Sequence, residues 1–141
     1  MTLYCVDGTN VVRRLWGYGG TEFREQEESD AATLVESFAV LCRGLADRLE
    51  VDIFFDGRSR SWPRPLTLPE NLRVRFSWEE EADGLILDRV RSQAFNHSGR
   101  ATVVTGDSEL GRRAQEEGGR WLRLSEDRGL EGILQSIERR F

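Results

Sequence analysis

The chain has 141 residues, 38% of them apolar, with 25 acids against 20 bases and a formal net charge of -5, which is enough for one ordinary core and too little for two. All 20 bases are arginine. Without lysine, neither a phosphate-cradling P-loop nor a Schiff-base mechanism can be built, and with a single histidine, His97, a multi-histidine metal site is excluded as well.

Leu3-Tyr4-Cys5-Val6 is short, apolar and β-prone, so it predicts a buried strand ended by Asp7-Gly8. A glycine-rich loop carrying Arg13, Arg14, Trp16 and Tyr18 is expected next. Leu34, Phe38, Leu41, Cys42, Leu45 and Leu49 keep helical spacing and predict a helix over 29–50, with Ser29 or Asp30 as N-cap. Val51 to Phe55 predicts a second strand ended by Asp56-Gly57, and the acid-free stretch 57–65 a loop carrying Arg58, Arg60, Trp62 and Arg64. Arg73 to Ser77 alternates apolar and polar residues, as a strand with one exposed face does.

A helix over 82–96 follows from Ile86, Val90 and Ala94. Ala101 to Thr105 predicts a fourth strand ended by Gly106-Asp107, followed by a helix over 108–117 that Gly118-Gly119 stops. A fifth strand over 120–124 and a last helix over 129–140 complete the pattern. Trp78 and Trp121 are assigned to the core or its margin, and His97 to a surface helix end without a catalytic role.

Strands alternating with helices imply parallel pairing and right-handed crossovers, hence an α/β fold: a three-layer α/β/α sandwich forming one domain over 1–141. Cys5 and Cys42 lie in unlike contexts and give no disulfide framework, which points to a reducing compartment. No apolar stretch reaches membrane-span length, and the first residues lack the regions of a signal peptide, so a cytoplasmic protein without a membrane partner is expected.

Sheets of this class bind ligands beyond the carboxyl ends of their strands, where strand order reverses. Asp7 and Asn10, Asp56 and Asp107 all follow strand ends, and Glu79, Glu80, Glu81 and Asp83 fill the connection after the third strand. Taken singly, an Asp beside Gly is a turn or cap residue, and a Glu run is an acidic helix start. Taken together, four acidic segments on one rim repel one another, and a hard divalent cation such as Mg²⁺ or Mn²⁺ relieves that repulsion. Such a cation activates water for phosphodiester displacement with no covalent nucleophile.

The ordered blocks Val6-Asp7-Gly8-Thr9-Asn10-Val11, Phe54-Phe55-Asp56-Gly57-Arg58, Val74-Arg75-Phe76-Ser77 with Glu81-Ala82-Asp83-Gly84-Leu85-Ile86, and Val103-Val104-Thr105-Gly106-Asp107-Ser108-Glu109-Leu110-Gly111 resemble the NYN domains of the YacP-like group, within the PIN-like nuclease superfamily. The resemblance they carry spans residue 3 to about 125. The resemblance implies a PIN-like sheet of order 3-2-1-4-5 and a metal-dependent endoribonuclease, a hydrolase of phosphodiester bonds. By position, Asp7, Asp83 and Asp107 match the family's metal-binding acids, Asn10 the residue that orients the first of them, and Asp56 a further ligand or supporting acid. PIN-like domains often pair, so the resemblance also allows a homodimer.

One departure stands out. Many relatives carry a second acid directly after the equivalent of Asp83, where this chain has Gly84. Asp88 points about 140° away around a helix, which leaves Glu80 or Glu81 to substitute. If neither does, the site holds a single tight metal or is weakly active.

A charge of -5 argues against coating nucleic acid through overall charge. Binding is instead expected from Arg13, Arg14, Arg58, Arg60, Arg64, Trp62 and Ser108, because arginine pairs with phosphate and aromatic rings stack on unpaired bases. The expected substrate is single-stranded or flexible RNA, and the alternative is an RNA-binding module on the same fold with weak or no catalysis. Phosphotransfer proteins with a similar sheet resemble one another in a lysine that this chain lacks.

Overall fold

The computed structural model describes residues 1–17, 24–59, 61–96, 99–124 and 128–141. Tyr18, Arg60 and His97, all assigned above, lie outside them. Five strands, β1 (Thr2–Asp7), β2 (Leu49–Phe55), β3 (Leu72–Phe76), β4 (Thr102–Thr105) and β5 (Arg120–Arg123), form one sheet of order β3-β2-β1-β4-β5. Every neighbouring pair is parallel, as the alternating pattern predicts.

The central strands read as largely apolar runs, Glu50 and Asp52 of β2 apart, because both their faces are covered. Tyr4 and Val6 of β1 join Val51, Ile53 and Phe55 of β2 against α1 (Gly8–Trp16), α2 (Arg24–Leu45) and α5 (Gly129–Glu138). The alternate residues Leu3, Cys5 and Phe54 face α3 (Ala82–Phe95) and α4 (Ser108–Glu116). This two-residue alternation creates the three layers. Cys5 and Cys42 are both buried free thiols.

Two expectations are corrected. The residues after β1 form a helix, not a glycine-rich loop, and that helix carries Arg13, Arg14 and Trp16. Val11 and Val12 supply its buried side, and Gly17, at φ 74°, ends it in the left-handed conformation glycine favours. Gly8 lets the helix start against the sheet: an added Cβ would lie 2.7 Å from the Phe55 ring and 2.9 Å from the Phe54 carbonyl oxygen.

The second correction concerns α2, which starts at Arg24, so Ser29 and Asp30 are interior residues and not caps. Asp30 instead accepts a hydrogen bond from Gln26 one turn back (3.2 Å). Glu25, Gln26, Glu27 and Glu28 are good helix formers, and their acids suit a helix N-terminus, so the helix extends past the expected cap. It ends at Leu45; Ala46–Arg48 is a 3-10 turn, and Leu49, which fitted the helical spacing, is buried from β2.

One charge sits inside this sheet. The fully buried Asp52 of β2 receives the Nε of Arg75 at 3.2 Å and of Arg89 at 3.3 Å on the same oxygen, while Oδ1 has no partner. Arg89 also reaches Glu50 at 3.2 Å, fixing α3 to the sheet. Removing a partner of a buried charge is more damaging than removing the pair. Arg89→Met should therefore destabilise the fold by about 2 kcal/mol in urea unfolding. Adding Asp52→Val to that variant should recover most of the loss, and a double variant no better than the single one would contradict the network's role.

Candidate active site

Strand order reverses at β1, which has β2 on one side and β4 on the other. The crevice beyond their carboxyl ends is where such sheets bind ligands. Asp7, the last residue of β1, stands there 4% exposed. The Thr105 hydroxyl at the end of β4 donates to Asp7 Oδ2 at 2.8 Å and accepts the Asp107 N–H at 3.1 Å. Asn10 Oδ1 accepts the Gly106 N–H at 2.9 Å and lies 3.4 Å from the Thr105 hydroxyl. The hydroxyl has one proton and gives it to Asp7, so Asn10 shapes the β4–α4 turn while Thr105 orients the carboxylate.

The acids arrive from three further elements. Asp56 follows β2, donates its N–H to the Thr9 hydroxyl (2.9 Å) and accepts the Ala82 N–H on Oδ1 (2.9 Å). That bond caps α3 from another segment and brings in Asp83 in the first helical turn. Asp107 caps α4, with Oδ1 accepting the N–H groups of Glu109 (2.9 Å) and Leu110 (3.3 Å). Asp56 and Asp107 thus fill the ordinary capping role and also charge the rim.

The shared field shows in the acidities. Burial raises the Asp7 carboxyl from 3.8 to about 7; the Thr105 hydrogen bond opposes this, and the charges of Asp83, Asp56 and Asp107 add to it. Asp83 is also raised, first by burial, then by Asp107, Asp56 and Glu81, with Arg113 partly offsetting them. Glu81 is therefore an acid that Asp83 feels next to the open position at Gly84. Asp88 lies in a surface ion pair with Arg91 at 2.8 Å.

Among the described residues, no three ligating side chains stand gathered as a ready metal cage. Two of the carboxylates turn an oxygen towards helix N–H groups instead. The donors still match a hard cation, since they are all carboxylate oxygens, and burial and neighbouring charge raise the most buried of them, so a cation placed there would favour its ionised form.

The candidate RNA contacts divide sharply. An added Cβ at Gly106 would collide with the Arg14 side chain, so that arginine lies over the turn that bears Asp107. Ser108 and Arg58 are exposed. Arg13 instead pairs with Glu27 at 3.2 Å, and Arg64 with Glu36 at 2.5 Å and the Thr33 hydroxyl at 3.2 Å, along α2. Trp62 packs on Phe55 and Phe76, with ring centroids at 6.1 and 6.4 Å, so it belongs to the core margin. Trp121 is at the margin too, donating its indole N–H to the Thr105 carbonyl at 3.0 Å. Trp78 is 58% exposed, contrary to its expected place in the core or its margin.

Residues that sequence reasoning missed are Thr9, Thr105 and Arg113. The two threonines belong to the quoted motifs but carry no charge, and Arg113 is marked only by its position on the helix that Asp107 caps.

No family model and no curated protein sequence matches the chain. Two solved structures of Rae1 (YacP) from Bacillus subtilis do. One, a single-substitution variant, is 21% identical, with a TM-score of 0.65 over 99% of this chain and 79% of that one. The other is 20% identical, with a TM-score of 0.63 over 99% and 77%. The chain has the Rae1 (YacP) fold over nearly its whole length, as the resemblance to the YacP-like group implies.

A carboxyl with a folded pKa above its unfolded value holds its proton longer in the folded chain, so its effect on stability turns unfavourable as pH rises from about 4 to about 7. Without divalent ions, Asp7→Asn should be more stable than the native chain at pH 8, by up to roughly 4 kcal/mol. The difference should disappear below pH 4. Thermal melts across that range would show it; equal gains at both extremes would refute it.

Proposed function

We propose that the chain is a metal-dependent endoribonuclease of single-stranded or flexible RNA, a cytoplasmic hydrolase acting as one domain over residues 1–141. The observation that supports this reading best is the convergence of Asp7, Asp56, Asp83 and Asp107 at the reversal of strand order, with Asp7 pushed up to about 7. Asp7, Asp83 and Asp107 would hold Mg²⁺ or Mn²⁺, with Asp56 beside them. Bound there, the cation supplies water activation and charge stabilisation at a phosphate.

The chain's own groups do the positioning. Thr105 and Asn10 fix the Asp7 carboxylate and the β4–α4 turn. Arg14 and Arg113, carried by helices on opposite faces of the sheet, would pair with backbone phosphate, and the exposed Ser108 and Arg58 would add contacts. Arg64 and Trp62 fit poorly as contacts, because each is already engaged in packing. The second reading, an RNA-binding module with weak or no catalysis, is favoured by Gly84 and by the lack of a ready three-ligand cage among the described residues.

Cleavage of a mixed RNA pool with Mn²⁺ separates the two. The native chain should cut, Asp83→Asn should fall at least about 100-fold, and chelator should stop both. Cutting that survives chelator and substitution would remove the nuclease reading. RNA binding without cutting in any divalent ion would favour the module.

Gly84 tests the departure itself. The position is exposed and an added Cβ would meet nothing within 4 Å. Gly84→Asp should leave the melting temperature unchanged or raised, because it removes a helical glycine and adds an acid to a helix N-terminus. It should also lower the Mn²⁺ concentration needed for half-maximal cleavage. An unchanged metal requirement would show that Glu81 already serves there.

A further inference from the structure

Trp78 is the largest side chain exposed at the rim, and its backbone is held in an unfavourable conformation. Its φ is 60°, in the left-handed region that bulky residues seldom occupy. Hydrogen bonds hold it there. The Trp78 N–H reaches the Gly57 carbonyl at 2.7 Å, the Ser77 N–H the Phe55 carbonyl at 3.0 Å, and the Gly57 N–H the Ser77 hydroxyl at 3.0 Å. The loop before α3 is thus stitched to the residues around Asp56, whose carboxylate caps that helix. A strained backbone that places an indole in solvent beside a reactive rim suggests a use for the ring.

Its surroundings narrow that use. Glu79, Glu80 and Glu81 follow it directly, so phosphate is disfavoured there while the uncharged faces of a base are not. Trp62 is packed on Phe55 and Phe76 and so is not free to stack on a base. Phe95 is 83% exposed but sits at the other end of α3, roughly 20 Å along the helix.

We propose that Trp78 is the stacking platform for an unpaired base next to the phosphate bound at the acidic rim. The inference rests on the RNA reading above and deepens it. Stacking accepts every base and excludes a paired one, so the substrate is selected for being single-stranded and not for its sequence.

The test uses Trp78→Asn, which removes the ring while tolerating the left-handed backbone, and Trp78→Phe, which keeps a ring. With a short single-stranded RNA, Trp78→Asn should raise KM about tenfold with kcat within about twofold, and Trp78→Phe should stay within about threefold of the native chain. An abasic nucleotide at one position should abolish the difference between the native chain and Trp78→Asn. Trp78→Asn should melt no lower than the native chain, as a merely structural tryptophan would not allow.

RNA affinity measured in the Asp83→Asn background separates the two claims. Affinity that depends on Trp78, with no cleavage by the native chain, keeps the platform and removes the nuclease. Cleavage and affinity both indifferent to Trp78, or an unchanged effect of abasic substitution at every position, overturn the platform and leave the ring to a protein surface.

Discussion

The Asp7–Thr105 hydrogen bond is the contact on which the rim depends. It ties the end of the central strand to the end of the strand across the reversal, at 2.8 Å and out of solvent. A carboxyl in that position resists ionisation, because burial and three neighbouring aspartates all favour its neutral form. A single hydroxyl steadies it while also accepting the Asp107 amide. The same side chain therefore places two of the rim's acids. No apolar residue at 105 could do either job, although the strand around it is apolar and buried.

Caps extend the same logic to the other acids. Asp56 and Asp107 each satisfy the orphan N–H groups of a helix that begins at the rim. Helix start and acidic site are built from the same carboxylates, so the fold cannot form α3 and α4 in place without also assembling the charge. The short connection from β3 to α3 is pinned in a similar way, by hydrogen bonds to the end of β2. Trp78 is strained because two anchors fix the loop on either side of it.

The sheet was legible because fully buried parallel strands must be apolar on both faces, and Leu3–Val6, Val51–Phe55 (Asp52 apart) and Val103–Val104 are. Strand order itself came with the family resemblance, since periodicity carries no order. The acids were legible because each follows a strand end. What escaped was whatever depended on partners distant in sequence. Leu49 fits a helical stripe and a strand equally well, and only pairing with Thr2 in β1 decides between them. Arg64 and Trp62 looked available in an acid-free loop, but Glu36 and the rings of Phe55 and Phe76 claim them from other elements. Arg13 and Arg14 looked like loop residues because Gly17 was read as part of one loop instead of as the stop of a helix.

Charge placement gives the rim its character. Arginines along the outer surfaces are drawn into pairs: Arg13 with Glu27, Arg64 with Glu36, Arg91 with Asp88 and Glu117, and Arg75 and Arg89 with Asp52. The exposed pairs add little stability, unlike those to the buried Asp52, but all of them neutralise acids away from the site. At the rim the balance reverses, and Asp7, Asp56, Glu81, Asp83 and Asp107 meet the opposing charge of Arg113 and the nearby side chain of Arg14. A polyanion approaching that surface is repelled unless a cation lies between the two. An uncharged indole at the margin avoids that repulsion, since stacking on a base needs no charge. Acidity at the centre and an aromatic face at the edge are then compatible parts of one surface.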